Sequence, residues 1–487
     1  MSDPKRHKAP ADRGVRSLSR RSFLKTTAAV AALGFEMSPD VAAGSRDFIG
    51  WPAYSGTNRA NKYAPLDLIN ATNVGRLKTA WEWESPDKSV LEANPKFRPG
   101  EFQATPIAVN GTLYLSTAMS QVAAVDAVSG KTRWVFDPGS WRKGPISTKG
   151  FLTRGVAYWS AGSQGRILFA TADARLIALD AATGKKIREF GADGEVNLRT
   201  VGLPRPVPDR PASLYGVTSP PLVTGNVVVV GSYIEDRTRM RVMPRGDVRG
   251  FDARTGKHLW TFHTIPLEGE FGVETWENDS WRNAGNTNVW APMSADDELG
   301  IVYLPGSCPS NNYYGGARHG ANLFGNTIVA LDAKTGRRIW HYQIVHHDIW
   351  DYDLPAAPIL ADINVAGKPV KAVVQLTKQG FAFVFDRTNG QPVWPIVEKT
   401  VPASKVAGEK ASPTQPFPIR PAPYERQGMG PDDVIDFTPE LKAQGLAVLA
   451  EHEYGPLFTP FTDRMTIMMP GVAGGSNWNG AALDPET

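Results

Sequence analysis

The sequence predicts an all-β chain of radially repeated sheets, a β-propeller. Three observations predict it: a composition suited to short strands and tight turns, a strand–turn–aromatic unit that recurs five times, and variable spacing between units whose own pattern is constant. Gly (47) and Pro (39) are abundant in the 487 residues, and charged residues make up only 21%. Such a composition favours many short strands over long helices.

The recurring unit is a strand ending in Asp, a Ser/Thr-Gly or Asn-Gly turn, and a following strand that carries an aromatic. It reads Val125-Asp126-Ala127-Val128-Ser129-Gly130 with Trp134, then Leu179-Asp180-Ala181-Ala182-Thr183-Gly184 with Phe190. Phe251-Asp252-Ala253-Arg254-Thr255-Gly256 with Trp260 comes next, then Leu331-Asp332-Ala333-Lys334-Thr335-Gly336 with Trp340. The fifth is Phe385-Asp386-Arg387-Thr388-Asn389-Gly390 with Trp394, and Trp81 marks the end of an earlier unit. Before each Asp lies an apolar or alternating run, such as Arg175 to Leu179. The Asp and the Gly, which takes a positive φ, close a hairpin. The aromatic is expected to lie between neighbouring units. The aspartates are 54, 72, 80 and 54 residues apart, so a fixed strand unit carries loops of variable length. Radial repetition fits this better than a β-sandwich, which has no reason to repeat Asp-x-x-Thr-Gly-x-x-x-Trp.

Charge and cysteine usage exclude several classes. The net charge is +4, but residues 1–43 hold eight Lys/Arg against four Asp/Glu, which leaves 45 of each sign in the body. No basic face for nucleic acid is expected. A single cysteine, Cys308, excludes an intrachain disulfide and any CxxC metal or CxxCH haem motif.

The N-terminus reads as an address. Ser19-Arg20-Arg21-Ser22-Phe23-Leu24-Lys25 is a twin-arginine pattern, followed by a short apolar run from Thr26 to Phe35 and the small residues Val41-Ala42-Ala43. This predicts a twin-arginine export signal over 1–43, cleaved near Ala43, with the propeller over 44–487 and a periplasmic location. No later stretch approaches the roughly eighteen apolar residues of a membrane helix, so no integral membrane segment is expected.

Three clusters could carry chemistry. His346-His347-Asp348-Ile349-Trp350-Asp351-Tyr352-Asp353-Leu354-Pro355 offers three carboxylates and two histidines beside aromatics. Such a set suits a hard cation and a general base, although a solvated acidic loop would look the same on spacing alone. Lys378 lies in Gln375-Leu376-Thr377-Lys378-Gln379-Gly380, between two apolar runs, and Trp290 in Asn288-Val289-Trp290-Ala291-Pro292 is not a turn tryptophan. Taken singly, both suit a structural role.

Together with Phe102-Gln103-Ala104-Thr105-Pro106 and Arg154-Gly155-Val156-Ala157-Tyr158-Trp159, these motifs resemble the pyrroloquinoline quinone (PQQ) dehydrogenases. They are most like the membrane-type quinoprotein glucose dehydrogenases and their soluble relatives, in family order from about Asp47 to the last residue. The resemblance implies a quinoprotein-type eight-bladed propeller that binds PQQ near its axis and oxidises a sugar or alcohol hydroxyl. It implies Asp351 as catalytic base, Lys378 on the quinone oxygen, Trp290 under the cofactor plane and Arg154 on a cofactor carboxylate. Gln103 and Thr218 or Ser219 are further implied cofactor contacts. It also implies a divalent cation, calcium with a lanthanide as the alternative, held by Asp351, Asp353 and the acidic pair Glu235 and Asp236.

Cys308 stands where the alcohol-oxidising relatives carry an Asn ligand, and a thiol is a poor partner for a hard cation. Electrons are expected to leave to a separate quinone or cytochrome. The chain stops at Leu483-Asp484-Pro485-Glu486-Thr487, in the pattern of a unit interrupted before its glycine. Set against the family it resembles, the chain is expected to be short of roughly its last two blades. A non-catalytic scaffold or an inactive remnant is the competing reading.

Overall fold

A computed structural model of the chain describes residues 50–145, 150–209 and 211–486; the export signal and its cleavage region lie outside them. The repeat's aspartate shows how each turn forms. The Asp332 Oδ1 accepts from the backbone N–H of Lys334 (3.1 Å) and Thr335 (2.8 Å) and from the Thr335 hydroxyl (2.8 Å). The Gly336 N–H closes the turn on the Asp332 carbonyl at 2.9 Å. Asp126, Asp180 and Asp252 are bonded in the same way.

These turns join the last two strands of each four-stranded antiparallel sheet. The first sheet is β1 (Ile107–Val109), β2 (Thr112–Ser116), β3 (Val122–Asp126) and β4 (Thr132–Phe136). The second is β5 (Ala157–Ala161), β6 (Gln164–Ala170), β7 (Arg175–Asp180) and β8 (Glu195–Asn197). A short ribbon strand, β9 (Tyr215–Gly216), precedes β10 (Leu222–Thr224) and β11 (Val227–Val230); its partner β12 (Tyr233–Ile234) precedes β13 (Val248–Asp252) and β14 (His258–Phe262). The third sheet is β10-β11-β13-β14. The fourth is β15 (Ser294–Asp296), β16 (Ile301–Pro305), β17 (Thr327–Asp332) and β18 (Arg338–Gln343). The fifth has three strands, β19 (Ile359–Val365), β20 (Lys368–Leu376) and β21 (Ala382–Asp386). After it comes a ribbon of β22 (Ile396–Thr400) and β23 (Thr414–Pro418).

The indoles tie each sheet to the next. Trp134 donates its Nε1–H to the Ala181 carbonyl, Trp260 to that of Ala333 and Trp340 to that of Arg387, each at 3.0 Å. The ring lies flat against the receiving turn's glycine, where a Cβ on Gly336 would stand 2.5 Å from Trp260. The glycine therefore supplies the positive φ and leaves room for the neighbour's indole. Trp81 docks on the first sheet in this way, through the Ala127 carbonyl at 3.3 Å. The core lies between sheets: Leu222 and Val229 of the third pack with Ala295 and Val302 of the fourth.

Two units depart from the expected pattern. Phe190 precedes the outer strand β8 instead of sitting in it, and a phenyl ring has no N–H to donate. Trp394 also lies outside a strand, because the chain leaves the fifth sheet and pairs β22 with β23. Two α-helices, Asp87–Ala93 and Pro439–Ala450, were not foreseen. Among the described residues no helix is long and apolar enough to cross a membrane.

The segment after Gly50 crosses the first strands of four sheets. Trp51 exchanges backbone hydrogen bonds with Ala108, and the Asn58 amide donates to the Val223 carbonyl at 2.7 Å. The Ala295 and Leu360 N–H groups donate to the carbonyls of Asn58 and Arg59 at 2.8 and 2.9 Å.

Candidate functional site

The residues singled out in the sequence share a topological position. Gln103, Arg154, Thr218 with Ser219, Trp290, and Asp351 with Asp353 each lie in the segment leading into the first strand of one sheet: β1, β5, β10, β15 and β19 respectively. Radial repetition brings those lead-ins to one end of the axis. They bond directly to one another: the Thr105 N–H donates to the Arg154 carbonyl (2.9 Å) and the Arg154 N–H to the Thr218 carbonyl (2.8 Å). Lys378 joins them from the tip of the β20–β21 hairpin.

Asp348 shapes the acidic loop. It is 1% exposed, and its carboxylate accepts from the N–H groups of Trp350 and Tyr352 and from the Asn326 amide, each at 2.9 Å. Burial, helped by the Asp351 charge, pushes this carboxyl up to about 7. The folded-back loop holds Asp351 at φ +62°, the left-handed region.

Asp351 and Asp353 then meet Lys378. The ammonium lies 3.4 Å from the Asp351 Oδ2, donates to the Asp351 carbonyl at 2.7 Å, and pairs with the Asp353 Oδ1. Burial works against the charge of Lys378, but Asp353 and Asp351 outweigh it and hold the ammonium well above the ordinary lysine range. Burial raises the Asp351 carboxyl; Lys378 opposes that shift and Asp353 adds to it. Around the Asp351 carboxylate stand the Cys308 thiol (3.5 Å), the Tyr313 hydroxyl (3.3 Å) and the Asn312 side chain.

The other predicted residues surround this centre. Trp290 donates its indole N–H to the Asp353 Oδ2, and Ser307 reaches the same oxygen at 3.3 Å. The Ser219 hydroxyl donates to the Trp290 carbonyl at 2.5 Å. Arg154 donates to the hydroxyls of Thr218 (2.9 Å) and Ser219 (3.3 Å). Its guanidinium carbon lies 5.2 Å from the Trp290 ring and 5.3 Å from the Trp478 ring. Burial lowers Arg154 to about 10. Gln103 binds Glu101 at 2.7 Å through its amide nitrogen. Among the described residues the Arg154 Nε and the Gln103 Oε1 are buried without a partner.

Glu235 is 2% exposed. Asp236 keeps accessible surface, and the Asn286 amide donates to its Oδ1 at 3.5 Å. Burial first, then the Asp351 and Asp353 charges, push its carboxyl up to about 7. Among the described residues no three His, Cys, Asp or Glu side chains are grouped as a ligand set for a metal ion.

Sequence reasoning missed Asn312, Tyr313 and Glu409, the buried partner of His347. His347 Nε2 lies 2.9 Å from the Glu409 Oε1, and Glu409 accepts the Gly315 N–H at 2.5 Å. This pair fastens the β22–β23 loop to the loop bearing Tyr313. The run Asn311-Asn312-Tyr313-Tyr314 was the one signal available. A cavity of about 310 Å³ lies apart from this chemistry, lined by Tyr54, Tyr158, Pro220, Pro292 and Asp297 among others. Only about 10 Å³ is open beside Thr218, Ser219 and Trp290.

Residues 51–487 match the PQQ family model described as "Glucose/ethanol/alcohol dehydrogenase, beta-propeller domain". Residues 17–35 match the twin-arginine translocation signal, so the chain is exported to the periplasm by that pathway. The quinoprotein glucose dehydrogenase of Escherichia coli (strain K12) is 36% identical over 89% of this chain and 54% of its own length. Quinoprotein glucose dehydrogenase A of Acinetobacter calcoaceticus is 34% identical over 90% and 56%. The chain thus spans about half the length of the curated relatives it matches. The crystal structure of quinohemoprotein alcohol dehydrogenase from Comamonas testosteroni superposes with a TM-score of 0.61, at 30% identity, over 76% of this chain and 52% of that one.

Proposed function

Because the chain belongs to the PQQ-dependent glucose/ethanol/alcohol dehydrogenase β-propeller family, we propose that it serves an oxidoreductase that oxidises a sugar or alcohol hydroxyl and passes electrons to a quinone or cytochrome partner. The observation that carries this reading is the convergence of Asp351, Lys378, Trp290 and Arg154 at one end of the axis. That intact set weighs against a scaffold or an inactive remnant. The eight-bladed count for the whole protein rests on the family resemblance.

The residues suit PQQ. Its carboxylates match the buried Arg154 fork with its unpartnered Nε, its planar ring matches the Trp290 indole, and the unpartnered Gln103 Oε1 is a free polar contact. PQQ, when bound, supplies the acceptor for the two electrons of the substrate's C–H bond. The rest is done by this chain's own groups. Asp351 takes the hydroxyl proton on its carboxylate. Lys378 opposes the rise that burial imposes on that carboxyl and presents a donor for a quinone oxygen. Trp290 fixes the plane, and the Arg154 fork fixes the rotation within it.

Donor chemistry favours a hard cation beside these carboxylates. Asp236 feels the charges of Asp351, Asp353 and Glu235 against one ammonium, and a divalent ion, calcium in this reading, would relieve that excess. Asp351, Asp236 and Glu235 are its candidate ligands, although among the described residues they are not gathered into a ligand set and would have to draw together around the ion. Asp353 is committed to Trp290, Ser307 and Lys378, and the Cys308 thiol adds nothing.

The test is a PQQ titration of the exported chain with calcium, followed by tryptophan fluorescence and then by dye reduction with glucose and simple alcohols. Saturable quenching that Trp290→Ala weakens, with turnover that Asp351→Ala abolishes, is expected. Absence of quenching in a folded chain would overturn the reading.

A further inference from the structure

We infer that Tyr313 determines specificity for polyhydroxylated substrates, by reading a second hydroxyl next to the one that Asp351 deprotonates. The inference rests on the dehydrogenase reading and names the substrate class of that site.

Three observations carry it. The Tyr313 hydroxyl lies 3.3 Å from the Asp351 Oδ2. That gap is close to the separation of two neighbouring hydroxyls on a sugar or polyol, so one can face the carboxylate while the other meets the phenol. Tyr313 is also 44% exposed, so it stands on the open side of Asp351, where Cys308 (1%) and Asn312 (2%) are buried. A group with both a buried and an open side can trade its bond to the carboxylate for one to an arriving hydroxyl.

The ring is also held in place. Its edge meets Phe461 at 5.6 Å between centroids. The loop behind it is fixed by the Gly315 N–H on Glu409 (2.5 Å), by the Tyr314 hydroxyl on the Ala407 carbonyl (3.1 Å) and by His319 on the Gly408 carbonyl (2.8 Å). A polar group fixed in this way beside a base penalises a substrate with nothing to offer it, because the partner's hydrogen bond goes unmade. A monohydric alcohol leaves the phenol without a substrate partner; a vicinal diol satisfies it.

The experiment compares wild type with Tyr313→Phe, which removes one oxygen from a half-exposed ring. Steady-state turnover of the PQQ-loaded protein is measured with glucose, glycerol and 1-propanol. Binding of glycerol and glucose to the cofactor-free chain is measured by NMR saturation transfer. Expected is a fall of about five- to tenfold in kcat/KM for glucose or glycerol, the scale of one lost hydrogen bond, with 1-propanol changed less than twofold and a matching loss of polyol binding. An equal fall for all three substrates would mean that the phenol acts only through Asp351 and would overturn the specificity role. No change in either assay overturns it too. If no substrate turns over, the dehydrogenase reading has failed, and the binding measurement still decides: polyol binding insensitive to Tyr313→Phe, or absent from wild type, sinks the inference.

Discussion

The Lys378 ammonium touches Asp351 twice, standing 3.4 Å from its Oδ2 and donating to its carbonyl oxygen at 2.7 Å. One cation thus holds both the charge and the backbone of a residue in the left-handed region. Lys378→Met removes it and leaves Asp351 and Asp353 buried without a counter-charge. Loss of one partner of a buried pair costs about 3–5 kcal/mol. The thermal midpoint should fall by several degrees and PQQ titration should weaken; an unchanged midpoint would show that the pair adds no net stability.

Gly336→Ala and Gly300→Ala separate two demands on glycine. Both positions have positive φ, +69° and +65°, but a Cβ at Gly336 meets the Trp260 ring at 2.5 Å while one at Gly300 meets nothing within 4 Å. Urea unfolding should show a cost of about 1 kcal/mol at Gly300 for backbone strain. At Gly336 a further ~1–3 kcal/mol is expected for overpacking. Equal costs would mean that the indole yields freely.

Arg387 departs from the alanine found at its place in the other turns, and it is 1% exposed. It reaches Asp296 and Asp362, each at 2.7 Å, and so joins the fourth and fifth sheets. Arg387→Met should destabilise by about 3 kcal/mol, chiefly by stranding the buried Asp296. Arg387→Lys should recover only part of that loss, since a point charge cannot bridge two carboxylates as a fork does. Chemical denaturation of the three proteins checks it.

Asp236 should make stability fall as pH rises from about 4 to about 7. Its folded value of about 7 lies above the ordinary aspartate value of 3.8, so the folded state holds the proton more tightly. The resulting stability is full below the unfolded value and is lost as pH rises through about 7. Asp236→Asn should flatten the midpoint profile between about pH 4 and 7, a window set by those two values. Added calcium should offset the wild-type loss above about pH 7. A wild-type profile already flat across that range would refute the assignment.

Glu409 has the opposite sign. Burial raises its carboxyl, but His347 and the N–H groups of Gly315 and Lys410 outweigh that and leave it lowered. The latch is therefore present above the unfolded glutamate value and lost as pH falls through the folded one. Hydrogen exchange in residues 311–320 should accelerate in wild type as pH drops below about 4, after correction for intrinsic rates. Glu409→Gln should exchange fast at neutral pH already.

How far the sequence could be read depended on which interactions are local. The turn aspartates, the glycines and the docking indoles repeat at fixed offsets, so both the hairpins and the sheet-to-sheet contacts could be foreseen. Arg154, Trp290 and Asp351 are far apart in sequence and converge only because each precedes the first strand of its sheet; the family resemblance, not the spacing, identified them. Phe190 and Trp394 keep to the repeat in sequence but not in strand position, since the path of the chain beyond each turn is decided by more distant pairing partners. Tyr313 and Glu409 meet the site through loops that obey no repeat, and nothing in their spacing marked them.

The stretch from Trp51 to Arg59 is among the first of the body to leave the ribosome, yet its partners are Ala108, Val223, Ala295 and Leu360. Until residue 360 has been made, its hydrogen-bonding groups have no complete set of mates. Such long-range pairing is slow to form, so the contacts by which this segment ties the first, third, fourth and fifth sheets together are completed only late in synthesis.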